Sequence, residues 1–350
     1  MRLSRAIASL AVAAAALATI AGCGSAQNAT ARTSGESPAQ AAQAGLSSLL
    51  DGNALTATMT LDADPATLAA VFGADQDAKL TGAQAGSLAG ATVVLAVKTG
   101  SGSLRSVAGS PSPLTNTSLA LSLSTRATPK LVQVVAANGT LYARADLDHL
   151  LALVGSPQMS GLLHSPNLPP SLAALAAGRW VSLDLADLDG SGVSTPSVGP
   201  SQAAGLAQSL DAIFQKDVTV TRAAPDPTLG DHLVLSGNVR TIGTDVLSAV
   251  SGLLGSMPNA SGLLGSAPQQ LPDKTIRVDE YVRNGTASAF RIDLTQLLNP
   301  SELKAAAGHP AALDVDLAAT ATVQAPGEAT PLTGNDLTGL VGSLLSSVAS

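Results

Sequence analysis

Residues 131–145 read LVQVVAANGTLYARA. Apolar and polar or small side chains alternate along both arms, the two-residue period of a strand that buries one face. Between the arms stands Asn138-Gly139, the pair most tolerant of positive φ and the strongest local signal for a tight hairpin. The stretch therefore predicts strands over 131–137 and 140–145, joined back to back. The same alternation returns in Trp180-Val181-Ser182-Leu183-Asp184-Leu185, where Val181, Leu183 and Leu185 share one face and Ser182 and Asp184 the other. Working outward, it predicts further strands over 55–61, 91–98, 118–124, 180–184, 218–222, 232–239, 275–283, 287–294 and 312–323. A sheet with one wet face is implied, hence an antiparallel one. Helical patches are predicted over 39–50, 65–72, 147–154, 170–177, 201–214, 246–254 and 294–298. Short helices collected on one side of an antiparallel sheet describe an α+β fold.

Composition fixes what the interior is made of. Six aromatics occur in 350 residues, Phe72, Tyr142, Trp180, Phe214, Tyr281 and Phe290, while apolar residues reach 45%, so the core is aliphatic. Charged residues are only 12%, about half the usual share.

The chain opens with Arg2 and Arg5, an apolar or small run, and Ile20-Ala21-Gly22-Cys23. This reads as a lipoprotein signal peptide over 1–22 with a lipobox, and Cys23 as the thiol that receives the lipid. The alternatives are a membrane span, for which the run is short, and an ordinary secretory signal, which favours a small residue where Ile20 stands. Cys23 is the only cysteine, which excludes an internal disulfide and a cysteine metal site. Without Arg2 and Arg5, 16 basic residues face 25 acidic ones, a net of −9. Such a surface disfavours nucleic acid and anionic headgroups. Residues 23–40 are small, polar and aperiodic and read as a lipidated flexible tether, 41–330 as the α+β body, and 331–350 as a C-terminal tail or short helix. The expected location is the outer face of the plasma membrane, held there by the lipid anchor.

A weak duplication runs through the body. Asn138-Gly139-Thr140, a strand, Asp146-Leu147 and the pair Leu150-Leu151 are echoed by Asn284-Gly285-Thr286, a strand, Asp293-Leu294 and Leu297-Leu298. In each copy the aspartate is placed to accept from free helix N–H groups. Two similar halves, 41–195 and 205–330, and one enlarged sheet both fit this pattern. A second echo, Ser-Gly-Leu-Leu at 160–163, 251–254 and 261–264, reads either as apolar loops at the mouth of a lipid pocket or as a product of biased composition.

Catalytic signatures are missing. His149, His164, His232 and His309 show no ligand spacing, so no metal site or cofactor is expected. Ser301-Glu302-Leu303-Lys304 has a Ser-x-x-Lys spacing, but Lys98-Thr99-Gly100 precedes it where it should follow. Asp184, Asp187 and Asp189 suggest calcium, yet the distal glutamate of such a loop is absent. Carboxylates two apart, and Asp279/Glu280 with them, read as solubilising strand faces.

The lipobox, the tether, VVAANGTLYAR at 134–144 and GRWVSLD at 178–184 together resemble the LppX/LprA/LprF/LprG lipoproteins of actinobacteria, best over 46–188. The resemblance implies a large curved antiparallel sheet cupping short helices, similar to the LolA/LolB carriers, around an apolar cavity. It implies binding of a lipid or glycolipid and its carriage across the cell envelope, with an envelope transporter as a further partner. The chain departs from this pattern in its extended second half. Candidate cavity walls are Leu121, Leu123, Val181, Leu183, Leu185, Phe290, Ile292, Val315 and Leu317, for each of which ordinary core packing is the alternative. The rival function is a non-catalytic envelope interaction or scaffold lipoprotein with a solid core.

Overall fold

The computed structural model describes residues 36–73, 80–108, 116–153, 168–186, 200–254, 271–298, 300–305, 309, 311–333 and 336. The signal peptide, Cys23, most of the tether, the Ser-Gly-Leu-Leu stretches at 160–163 and 261–264 and the tail beyond 336 lie outside the described residues. The chain runs α1 Pro38–Asp51, β1 Ala54–Ala63, α2 Pro65–Gly73, α3 Gly82–Leu88, β2 Thr92–Thr99, α4 Leu104–Ala108 and β3 Thr117–Ser124. Then come β4 Val132–Ala137, β5 Thr140–Ala145, α5 Leu147–Leu153, α6 Pro170–Ala176, β6 Val181–Asp184, α7 Pro200–Asp217 and β7 Val218–Arg222. It ends with β8 Asp231–Asn238, α8 Val239–Leu254, β9 Thr275–Arg283, β10 Thr286–Asp293, a 3-10 turn Leu294–Leu297, α9 Pro300–Ala305, β11 Ala311–Ala318 and β12 Thr330–Pro331.

All twelve strands form one sheet, in the order β12-β6-β5-β4-β3-β2-β1-β11-β10-β9-β8-β7. Every pairing is antiparallel except the two-residue β12–β6 ladder. The fold is thus α+β with a large, mostly antiparallel open sheet. Strands from both candidate halves meet where β1 pairs with β11. The duplicated turns are alike in backbone: φ is 54° at Asn138 and 77° at Gly139, 53° at Asn284 and 81° at Gly285. Both aspartates that follow accept from the first turn they precede, Asp146 from the His149 N–H at 3.2 Å and Asp293 from the Thr295 N–H at 2.8 Å.

One sheet face, called inner here, carries the helices. Leu46 and Leu49 of α1, Leu68 of α2 and Ala85 of α3 pack with Leu61, Phe290, Ile292, Leu313 and Val315. Ala41 and Ala42 of α1 and Phe214 of α7 pack with Leu233, Leu235 and Val282. Helix α1 begins where Ser37 accepts from the Gln40 N–H at 3.3 Å while Gln40 Oε1 accepts from the Ser37 N–H at 3.0 Å, with Pro38 in the first turn. It stops at Gly52. Replacing Ser37 with alanine is expected to cost about 1 kcal/mol and to lower the thermal midpoint by roughly 2 °C, measurable by calorimetry.

The C-terminal part of the sequence corrects one expectation. The strand predicted over 312–323 leaves its ladder after Ala318, although alternation continues, with Ala321 and Val323 half-buried between exposed neighbours. The reason is a strap across the opposite, outer face. Thr56 Oγ1 donates to Thr320 O at 2.6 Å over β1, and the Thr330 N–H reaches Trp180 O at 2.9 Å beside β6. Six strand spacings of ~4.8 Å separate β1 from β12, and ten residues at ~3.3 Å each just span them, so the strap runs straight. Beneath its path lie the paired residues Thr56, Ala96, Ala120, Val135, Tyr142 and Ser182. Ala96 and Val135 are buried there on an otherwise polar face. A segment lying on a sheet obeys the same two-residue period as a strand within it.

Candidate functional site

The inner face of β1 to β6 is built from three unbroken apolar rows. Leu317, Ala57, Leu95, Leu121, Val134, Ala143 and Val181 are successive partners across seven strands. On one side lie Val315, Met59, Val93, Leu123, Val132 and Ala145, and on the other Leu55, Val97, Leu119, Ala136, Leu141 and Leu183. Each follows from alternation, since register carries one strand's inner residues to the next strand's inner residues.

The rows are not evenly covered. Among the described residues α1 packs over β1, β7, β9 and β10, α4 on β2 and α6 on β5 and β6, while no helix packs closely on β3 or β4. Leu121 is accordingly 36% exposed, and Leu95, Leu119, Leu123, Val134 and Leu141 stay half-buried. A run of large aliphatic side chains with this much exposure on neighbouring strands is an unusual surface, since monomers seldom leave extended apolar patches in water.

Eight of the nine candidate wall residues lie on this one face. Leu121 and Leu123 stand on its open part, Leu317 is half-buried beside it, and Val181 and Leu183 are buried on β6. Phe290, Ile292 and Val315 belong to the packed cluster near α1. Leu185 lies beyond the end of β6, where its N–H donates to Gly139 O at 2.9 Å. Leu95, Leu119, Val134 and Leu141, which the same alternation marks, complete the open part.

Beyond Leu123, Thr125 leads into a cavity of about 280 Å³ between α3, α5 and the β3–β4 turn, lined among others by Ala83, Gln84, Thr128, Leu131, His149 and Leu153. Its His149 Nδ1 is 2.9 Å from Asp146 Oδ2, and Gln84 donates to Leu153 O at 2.8 Å.

The polar chemistry lies elsewhere, on the outer face. Arg291 holds Asp314 at 3.2 Å and Asp316 at 2.6 Å, and partial burial raises the Asp314 carboxyl above its ordinary range. His232 Nε2 lies 2.8 Å from Asp279 Oδ1 and its ring stacks on Tyr281 with centroids 4.8 Å apart. Burial also raises the Tyr281 phenol. These groups sit on the outer surface of the sheet, on β8 to β11. Among the described residues no group of three or more His, Cys, Asp or Glu could hold a metal ion.

One carboxylate contradicts the reading of Asp279/Glu280 as a solubilising pair. Glu280 is 0% exposed, and neither of its oxygens has a hydrogen-bond partner among the described residues. Adjacent strand residues point to opposite faces, so with Asp279 outside, Glu280 faces the core, where Leu233 and Phe290 are its strand neighbours. Burial pushes its carboxyl up to about 8. Two acidic residues in succession on a predicted strand were themselves the signal that one would be buried.

No family model matches the chain, and no characterised protein matches it significantly in sequence. Among solved structures, the crystal structure of LprF from Mycobacterium bovis aligns with 83% of this chain and 97% of its own, at 12% identity and a TM-score of 0.33.

Proposed function

We propose that this chain is a lipid-anchored protein of the outer face of the plasma membrane that binds lipid or glycolipid through its acyl chains and carries it across the cell envelope. The observation that carries the reading is the open aliphatic face of β2 to β5, centred on Leu121. Alkyl chains laid on it would remove apolar area from water on both sides, worth roughly 25 cal/mol per Å². The lipobox ending at Cys23 supports anchoring, and the resemblance over 134–144 and 178–184 supports the carrier role. A low-charge body of net acidity suits a ligand recognised by its chains and not by an anionic head.

Native mass spectrometry of the full chain, purified from a bacterial envelope, tests this. A co-purifying lipid at fixed stoichiometry is the expected result. A bare chain that also refuses added long-chain fatty acid and phospholipid would overturn the carrier in favour of an envelope scaffold. A residue-level prediction accompanies it: Leu121→Asp is expected to weaken fatty-acid binding at least tenfold, about 1.4 kcal/mol, since it places a charge beneath the alkyl chain. Leu121 is only 36% exposed, so the unfolding midpoint should also fall, and binding is compared without urea, where the chain is folded. Equilibrium titration with a fluorescent fatty acid, beside a urea melt, reads both.

A further inference from the structure

Glu280 occupies an unusual place in the fold. Its neighbour Val278 borders both core clusters, and Val282, two residues the other way along β9, belongs to the cluster that includes Ala41 and Ala42 of α1. Helix α1 lies directly on these strands. At Gly45 the approach is so close that an added Cβ would stand 3.2 Å from the Ala287 N–H nitrogen and 3.2 Å from a Val282 methyl. Beside Ala287 the β9–β10 register shifts, a bulge that leaves the ladder uneven under the helix.

Among the described residues, nothing packed around Glu280 offers it a charge. From β8 and β10 its neighbours are Leu233 and Phe290, and along β9 they are Val278 and Val282. The buried residues of α1 are Ala41, Ala42, Gly45, Leu46 and Leu49. From α7 come Leu210 and Phe214, both buried, and the Asp211 carboxylate is taken by the Gln43 amide at 2.9 Å. The titratable group within α1, Asp51, is 2.8 Å from Arg105 at the far end of the helix, and Leu294 of the 3-10 turn adds another apolar side chain. A carboxylate here is stable only as the neutral acid, because ionising it without a partner costs several kcal/mol.

We infer that α1 and the β8–β10 sheet form a proton-dependent latch, in which α1 stays seated while Glu280 is protonated and lifts from the sheet when it ionises. Lifting α1 uncovers Phe290 and Val315, which lie in the same register row as Met59, Val93 and Leu123. The open aliphatic face then extends from β2–β5 onto β11 and β10 in one surface. This rests on the lipid-binding reading for its purpose, though not for its mechanics. Because α1 follows the tether that leads to Cys23, the element that moves is the one nearest the anchor in sequence.

Hydrogen exchange of the α1 amides in the full chain, measured from pH 6 to pH 9 against Glu280→Gln at each pH, tests the latch. The comparison cancels the intrinsic pH dependence of exchange. The expected result is opening of α1 that rises roughly a hundredfold in the parent chain over this range and levels off above it, with no such rise in the variant. Glu280→Leu serves as a second control should the buried amide of Gln disturb folding. Equal pH profiles for the parent and both variants would overturn the latch. Binding of a fluorescent fatty acid, followed over the same range, separates the two claims. Absence of binding at every pH counts against the carrier reading, whereas pH-invariant binding beside a working latch overturns only its extension of the lipid surface.

Discussion

Urea unfolding of Glu280→Leu is expected to diverge steadily from that of the parent chain as pH rises from 4.5 to 8. In the folded chain burial holds this carboxyl at about 8, against an ordinary 4.5. Below pH 4.5 both folded and unfolded chains carry the proton, and the group takes no toll. Between the two values the unfolded chain has released a proton that the folded chain retains, so stability falls by about 1.4 kcal/mol per pH unit. Above pH 8 both forms are ionised and the loss levels off at about 5 kcal/mol. That is a large share of the 5–15 kcal/mol typical of a folded domain. The leucine variant lacks the titration, so its advantage should grow by that amount across the window. Parallel stability curves for the two chains would show that Glu280 reaches water or a partner.

Gly230→Val should be the most disruptive single change on the surface of the sheet. Gly230 closes a turn in which its N–H donates to Asp226 O at 2.9 Å and its carbonyl accepts from the Asp226 N–H at 2.8 Å. Its φ is +106°, and a Cβ there would fall 2.5 Å from Val282 O. A β-branched residue must therefore abandon both the turn and the close approach of the β7–β8 connection to β9, at an expected cost of about 3 kcal/mol or more. Gly139 makes the control. It too has positive φ, at +77°, but nothing lies within 4 Å of its missing Cβ. Gly139→Ala should cost only about 1 kcal/mol, the conformational part alone. Chemical denaturation of the two variants separates crowding from backbone strain, and similar losses would refute the crowding argument.

Most of the sheet was legible because alternation is a direct image of a half-buried strand. All eleven predicted strands occur, and so does the hairpin at Asn138-Gly139. Where the reading failed, the physics differs from case to case. Strand β12 is two residues long and contains Pro331, too little to show a period. Helix α3, GAQAGSL, and helix α4, LRSVA, are short and have no apolar stripe; α3 is held by a Thr81–Gln84 capping box. Helix α8 starts at Val239, seven residues before its leucine-rich end begins, because Asn238 accepts from the Thr241 N–H at 3.1 Å and so caps it. Within the candidate site, the face of each leucine and valine could be read from the sequence. Which of them α1 would cover could not, since that depends on contacts between residues more than two hundred positions apart.

The position of β1 at the middle of the sheet sets the order in which this chain can assemble. Strands β1 to β6 follow one another as neighbours and can pair as they are made. The other edge of β1 has to wait for β11, with Thr58 meeting Asp316 across about three quarters of the chain's length. Such distant contacts slow folding, because loop closure is charged before the pairing rewards it. During that interval β1 presents an open edge next to an aliphatic face, the kind of surface that recruits other strands. A chain caught in this state needs its last long strand before it is safe from its neighbours.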